Sequence, residues 1–72
     1  MLSFQLANEG RAVEISIDEQ GMAVLVRMLE RVRADRDHLH FRTPSNGGRE
    51  LSEKTPWGKD AIGEVIINWV GE

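Results

Sequence analysis

Two histidines separated by one residue are the pair whose type and spacing could do chemistry in this 72-residue chain. His38 and His40 lie in a segment that predicts a strand, so both imidazoles would project from one face. They could supply two metal ligands, with a third from Asp37 or from a carboxylate of a neighbouring strand. Two solvated histidines on an exposed strand face explain the pair more simply, because no third ligand follows at helix or turn spacing. We therefore expect no metal site and no cofactor.

The serines and glycines of the chain do not form a recognisable catalytic or phosphate-binding motif. Gly47-Gly48 lacks the glycine and lysine pattern of phosphate-binding loops, and Ser45 and Ser52 lack the Gly-x-Ser-x-Gly elbow. A domain of this length also has little room for a closed, preorganised pocket. The sequence predicts no catalytic residue, and we expect the protein not to be an enzyme.

Trp57 is the large aromatic residue outside every strand or helix period, in the Pro-Trp-Gly step of an irregular loop. It either folds over the core as a lid or anchors a protein interface, where tryptophan is enriched among binding hot spots. Arg42, Glu50 and Glu53 lie on neighbouring segments and could surround such an anchor. The candidate partner-binding residues are therefore His38, His40, Arg42, Glu50, Glu53 and Trp57.

The N-terminal half of the chain shows the strand period followed by the helix period. Apolar residues alternate with polar ones in residues 2–6 and 13–17, and Asn8-Glu9-Gly10 between them predicts the turn of an antiparallel hairpin. Asp18 is a good N-cap for a helix from about residue 19 to residue 35. The apolar stripe of this helix predicts its buried face: Met22, Leu25, Met28, Leu29 and Val32.

The C-terminal half predicts further strands separated by irregular segments. A third strand contains Leu39 and Phe41, and residues 49–52 could form a short additional one. The last strand, in residues 65–70, is apolar on both faces and should be central or covered by a partner. The order β-β-α-β-(β)-β predicts an α+β fold for residues 1–72: a single small domain with one amphipathic helix packed on an antiparallel sheet.

Composition narrows the class of protein. The chain is 29% charged and 40% hydrophobic, with a net charge of −3 that argues against nucleic acid as the main partner. It contains no cysteine, which favours a reducing cytoplasm over a secreted, disulfide-stabilised scaffold. Because no apolar run approaches the ~18 residues of a membrane span, we expect no membrane partner.

One stretch of the sequence resembles a known family. The segment His-Leu-His-Phe-Arg-Thr-Pro-Ser at residues 38–45, followed by Gly47-Gly48 and by Glu-Leu-Ser at residues 50–52, is similar to the Immunity protein 32 family of bacterial polymorphic-toxin immunity proteins. The preceding helix and the Ile-Gly-Glu-Val step at residues 62–65 extend the resemblance over most of the chain. It implies a short α+β protein that binds and blocks a cognate toxin in the producing cell, with no catalytic residues to carry over. A small homodimeric structural or assembly protein is the alternative, and a metal- or nucleic-acid-binding regulator is the third.

Overall fold

The computed structural model describes residues 1–71 and confirms a small α+β domain with the predicted order of strands and helix. The elements are β1 (Leu2–Ala7), β2 (Ala12–Ile17), α1 (Glu19–Asp35), β3 (Leu39–Arg42) and β4 (Glu64–Ile67), with a short 3-10 turn at Pro44–Asn46. Within the described residues, no helix is long and apolar enough to cross a membrane.

Strands β1 and β2 form the predicted hairpin. They pair antiparallel over their whole length, from Leu2 opposite Ile17 to Ala7 opposite Ala12. The connection has positive φ at Asn8, Glu9 and Gly10, with values of 51°, 59° and 85°. Gly10 takes the largest of these angles, because it has no Cβ to clash there.

Helix α1 has the predicted bounds, but its buried face was predicted only in part. The Asp18 carboxylate accepts a hydrogen bond from the Gly21 N–H at 2.8 Å, which confirms Asp18 as the N-cap. Met28 and Val32 are buried and Leu25 packs against the core, as expected. The prediction was wrong for Met22 and Leu29, which remain 48% and 45% exposed.

The reason for this rotation is a close approach at Gly21. A Cβ built on Gly21 would lie 1.8 Å from the Met1 carbonyl oxygen, so the helix meets the start of β1 through a residue without a side chain. The buried side of α1 is therefore centred on Gly21, Met28 and Val32, and Met22 and Leu29 point sideways.

The strands form two sheets instead of the single antiparallel sheet that was expected. One contains β1 and β2, and the other contains β3 and β4, paired antiparallel from Leu39 opposite Ile67 to Arg42 opposite Glu64. The predicted strand at residues 49–52 is irregular instead. Its Ser52 N–H donates to the Leu2 carbonyl at 2.8 Å, and the Ile62 N–H donates to the Phe4 carbonyl at 2.8 Å. These single bonds occupy the outer edge of β1, so β3 does not reach it.

Strand β4 lies at a sheet edge and has four residues, which corrects the expected length and the expected central position of residues 65–70 and leaves cover by a partner as a prediction. Among the described residues it pairs only with β3, and it ends at Ile67. Val65 and Ile67 pack against the core, whereas Ile66 is 48% exposed. The side chains that form the core come from both sheets, the helix and the long loop: Leu2, Phe4, Met28, Phe41 and Leu51.

Candidate functional site

The outer face of β3 and β4 holds a small cluster of charged side chains. His40 and Arg42 lie two residues apart on β3, and Glu64 faces Arg42 across the strand pair. The Arg42 Nε donates to Glu64 Oε2 at 2.5 Å, and the same oxygen lies 3.2 Å from His40 Nδ1. The hydrogen bond from Arg42, followed by that from His40, lowers the pKa of Glu64. A single carboxylate thus ties two of the predicted residues together.

His38 lies just before β3 and shares this side of the sheet. Its ring meets the His40 ring edge-to-face, with 5.1 Å between the centroids. Both its backbone N–H and its Nδ1 lie within hydrogen-bond distance of Asp37 Oδ1, at 2.8 and 2.9 Å. The hydrogen bond from the His38 backbone lowers the pKa of Asp37, with a further contribution from the ring.

The histidine pair does not gather the ligands of a metal centre. Among residues 1–71, no group of three histidine or acidic side chains is placed to hold one ion. His38 is directed to Asp37, while His40 shares its carboxylate with the Arg42 guanidinium, a cation that would repel a bound metal. The arrangement is that of a partly exposed ion-pair network.

Glu50 and Glu53 lie on the long connection between β3 and β4, where each bonds backbone groups. Glu53 accepts hydrogen bonds from the Ser45 N–H at 2.5 Å and from the Ser45 hydroxyl at 2.8 Å, and these bonds lower its pKa. Burial raises the pKa of Glu50, but hydrogen bonds led by that of the Arg49 N–H outweigh it and leave the value lowered. Both carboxylates therefore stabilise the loop in which they lie.

Trp57 lies at the tip of a turn in the same connection, and hydrogen bonds within residues 55–59 hold this turn. The Thr55 N–H donates to the Lys59 carbonyl at 2.8 Å, and the Gly58 N–H donates to the Thr55 carbonyl at 3.0 Å. The buried Thr55 hydroxyl accepts from the N–H groups of Trp57 and Lys59, both at 3.3 Å. At the base of this turn, Lys54 pairs with Asp60.

The indole of Trp57 is 65% exposed, which excludes the lid interpretation. It lines an open groove of about 270 Å³ together with Gln5, Glu14 and Lys59. Gln5 and Glu14 face one another on the polar side of the β1–β2 hairpin, where the Gln5 amide donates to Glu14 at 3.3 Å. The expected ring of Arg42, Glu50 and Glu53 is not what surrounds the indole.

No family model matches the chain, and no curated protein or solved structure matches it either. The resemblance to the Immunity protein 32 family therefore stays a prediction.

The sequence missed Glu64 and Glu14, which complete the two clusters. Glu64 binds His40 and Arg42, and Glu14 lines the groove beside Trp57. For Glu14 the signal was present, since the alternation of apolar and polar residues in both strands places Gln5 and Glu14 on the polar face of the hairpin. For Glu64 it was absent, because 22 residues separate it from Arg42 and most of them are irregular.

Proposed function

We propose that the chain is a non-enzymatic protein-binding module whose partner is a cognate bacterial toxin, which it binds and blocks in the cytoplasm of the producing cell. The resemblance of residues 38–52 and 62–65 to toxin immunity proteins gives the class of partner. The exposed Trp57 on its hydrogen-bonded turn supports a contact at this turn, and it is the observation that carries the proposal.

A tryptophan on a turn held by hydrogen bonds suits recognition, because it loses little conformational entropy when a partner binds. The Thr55 hydrogen bonds fix the backbone on both sides of the indole, and its side chain has only two rotatable bonds. An inhibitor needs a rigid surface and no enclosed cavity, which fits a domain of this size. We therefore place the centre of the contact at Trp57 and its rim at Glu14 and Lys59.

The charge of this region favours a basic partner. Residues 50–72 contain five carboxylates and two lysines, and Glu14 adds a further carboxylate beside the indole. The net negative charge of this segment speeds the approach of a basic protein surface. Toxin domains that act on nucleic acids have such surfaces.

The serine and histidine side chains support a binding role over catalysis. The Ser45 hydroxyl donates to Glu53, and the Ser52 hydroxyl accepts from the Leu2 N–H at 3.2 Å. Neither serine has a hydrogen bond to a histidine, since His38 bonds Asp37 and His40 bonds Glu64. The pairing of nucleophile and base that hydrolytic catalysis requires is therefore not assembled from these residues.

The experiment pairs this protein with the toxin domain encoded beside its gene. Wild type should restore growth when co-expressed with the toxin, and should bind the purified toxin domain in titration calorimetry. Trp57→Ala should weaken binding by about 2 kcal/mol, or roughly 30-fold, while Trp57→Phe retains most of the affinity. Melting temperatures should be unchanged, because the indole is mostly in solvent.

Val26→Ala is the matched control, since Val26 is 45% exposed and lies on α1, which contributes no residue to the groove beside Trp57. It should bind the toxin like wild type. A wild-type protein that neither binds nor protects refutes the toxin partner. Unchanged affinity in folded Trp57→Ala refutes the proposed contact.

A further inference from the structure

One face of the β1–β2 hairpin is only half covered. Cross-strand neighbours point to the same side of a sheet, so Leu2, Phe4 and Leu6 share a face with Val13, Ile15 and Ile17. The helix and core cover the end of this face that contains Leu2 and Phe4. At the other end, Leu6, Val13 and Ile15 are 62%, 59% and 50% exposed.

One flank of α1 extends this apolar surface. Met22, Val26 and Leu29 lie on one side of the helix and are 45–48% exposed. Val24 lies about 140–160° around the helix axis from these three residues. It lines a groove with Leu51 and Ser52 beside the outer edge of β1. The exposed flank is therefore turned toward β2. We call Leu6, Val13, Ile15, Met22, Val26 and Leu29 the hairpin–helix surface; they are six of the nine exposed large hydrophobic residues in the described chain.

Strand β2 also presents an unused backbone edge beside this surface. Its six residues pair with β1 on one side, and no other strand of residues 1–71 pairs with its second side. An extended edge next to exposed β-branched side chains is a template for adding another strand. We propose that a second copy of this chain binds here, with β2 pairing antiparallel to β2 and the two hairpin–helix surfaces in contact.

The residues of β2 select one register for this pairing. With Ile15 opposite Ile15 of the second copy, Val13 meets Ile17 and Glu14 meets Ser16, so apolar and polar faces stay continuous. Of the two neighbouring symmetric registers, one places Glu14 opposite Glu14 and the other places Glu14 opposite Asp18. Like charges directly opposite one another are destabilising. The positions of the apolar and charged residues in β2 thus favour a two-fold axis at Ile15.

Charge at the ends of β2 complements the same arrangement. In an antiparallel pair, the start of one strand lies beside the end of the other. Arg11 precedes β2, and Asp18 and Glu19 follow it, so each end of the pair brings a cation near Glu19 and near Asp18, which also pairs with the Met1 ammonium of its own chain. A second copy therefore supplies charge of the correct sign at both ends.

The area of the hairpin–helix surface, and a comparison of the β2 edge with the β4 edge, both favour dimer formation through β2. A stable interface buries about 800 Å² on each partner, roughly 15% of this chain's 5261 Å² of accessible surface. The hairpin–helix surface offers six large apolar side chains for it. The edge of β4 is shorter, at four residues, and its exposed face contains one large apolar residue, Ile66, beside His40 and the Arg42–Glu64 ion pair.

Sedimentation velocity over a concentration series tests the proposal on the full chain. Wild type should be a dimer at high micromolar concentration and dissociate on dilution. Val13→Lys should raise the dissociation constant about tenfold or more, because it places a lysine against Ile17 of the second copy. Val70→Lys is the matched control, since Val70 is 89% exposed and distant in sequence from the surface, and it should dimerise like wild type.

Disulfide trapping tests the register independently, because the chain has no native cysteine. Ile15→Cys should form a covalent dimer on mild oxidation, since directly opposed Cα atoms are about 4.5–5.5 Å apart, within disulfide range. Glu14→Cys should cross-link far more slowly, because its symmetry mate is about 7–8 Å away.

Several outcomes overturn the proposal. A wild-type chain that is monomeric at every concentration refutes the second copy as the occupant. A dimer that tolerates Val13→Lys, or that is lost equally in folded Val70→Lys, refutes this surface. Faster trapping of Glu14→Cys than of Ile15→Cys refutes the register. None of these results depends on the toxin, because Trp57 lies beside the other face of the hairpin.

Discussion

Gly21→Ala should destabilise the protein, although helix propensity predicts the opposite. Alanine inside a helix is favoured over glycine by about 1 kcal/mol. The new Cβ would lie 1.8 Å from the Met1 carbonyl oxygen and 2.6 Å from its carbon, so backbone must move. That backbone is held by the hydrogen bond from the Asp18 N–H at 3.1 Å and by Leu2, which is 1% exposed.

Forcing a methyl group into such a packed contact costs about 1–3 kcal/mol, so after the gain in helix propensity the expected net loss in free energy of unfolding is up to about 2 kcal/mol. Urea denaturation followed by circular dichroism measures it, with an unchanged m-value as the sign that both variants unfold alike. Ala23→Gly, at an exposed position of the same helix, is the control and should lose about 1 kcal/mol from propensity alone. Greater stability in Gly21→Ala would refute the close approach between α1 and β1.

Three further outcomes follow from burial and charge. In dilute protein, Met28→Ala should cost about 2–4 kcal/mol and Leu29→Ala under about 1 kcal/mol, because the first is 7% exposed and the second 45%; equal losses in urea denaturation would contradict this helix rotation. Zinc should move the melting temperature by no more than about a degree, and stoichiometric stabilisation that disappears in His38→Ala would show a metal site. Since the folded-state pKa of Glu64 lies below the ordinary 4.5, its ion pairs stabilise the fold above that pH and are lost as pH falls through the lowered value. Thermal melts of Glu64→Gln should accordingly show a weaker acid dependence than wild type.

Local signals in the sequence were sufficient to predict the helix and the hairpin of the fold. The Asp18 cap and the helical period predicted both ends of α1, and the Asn-Glu-Gly turn between two alternating segments predicted the hairpin. These features depend on neighbours within a few residues, where propensity and capping act. The rotation of α1 depends instead on the contact of Gly21 with Met1, a tertiary approach that no periodicity in the helix reveals.

The sequence predicted which residues are candidates for the site, but it did not predict which of them lie together. His38, His40 and Arg42 share one side of a sheet, as two-residue spacing indicated, with His38 just before the strand. Glu53 and Trp57 do not join them, because Glu53 caps the turn at Ser45 and the Thr55 turn directs Trp57 toward the hairpin. Irregular segments carry no hydrophobic period, so their hydrogen bonds, and the surfaces they create, follow only from the folded structure.

The two proposed surfaces have a joint consequence for binding. A two-fold axis at Ile15 runs perpendicular to the paired strands, so the polar faces of both hairpins lie on the same side of a four-stranded sheet. Each Trp57 turn adjoins a polar face, and the dimer therefore presents two indoles on one side and two helices on the other. Because each indole has its own rim of Glu14 and Lys59, one turn should suffice for one toxin molecule. Monomeric Val13→Lys should then bind toxin with wild-type affinity per chain in calorimetry, whereas a loss of affinity in that folded variant would show that one toxin spans both turns.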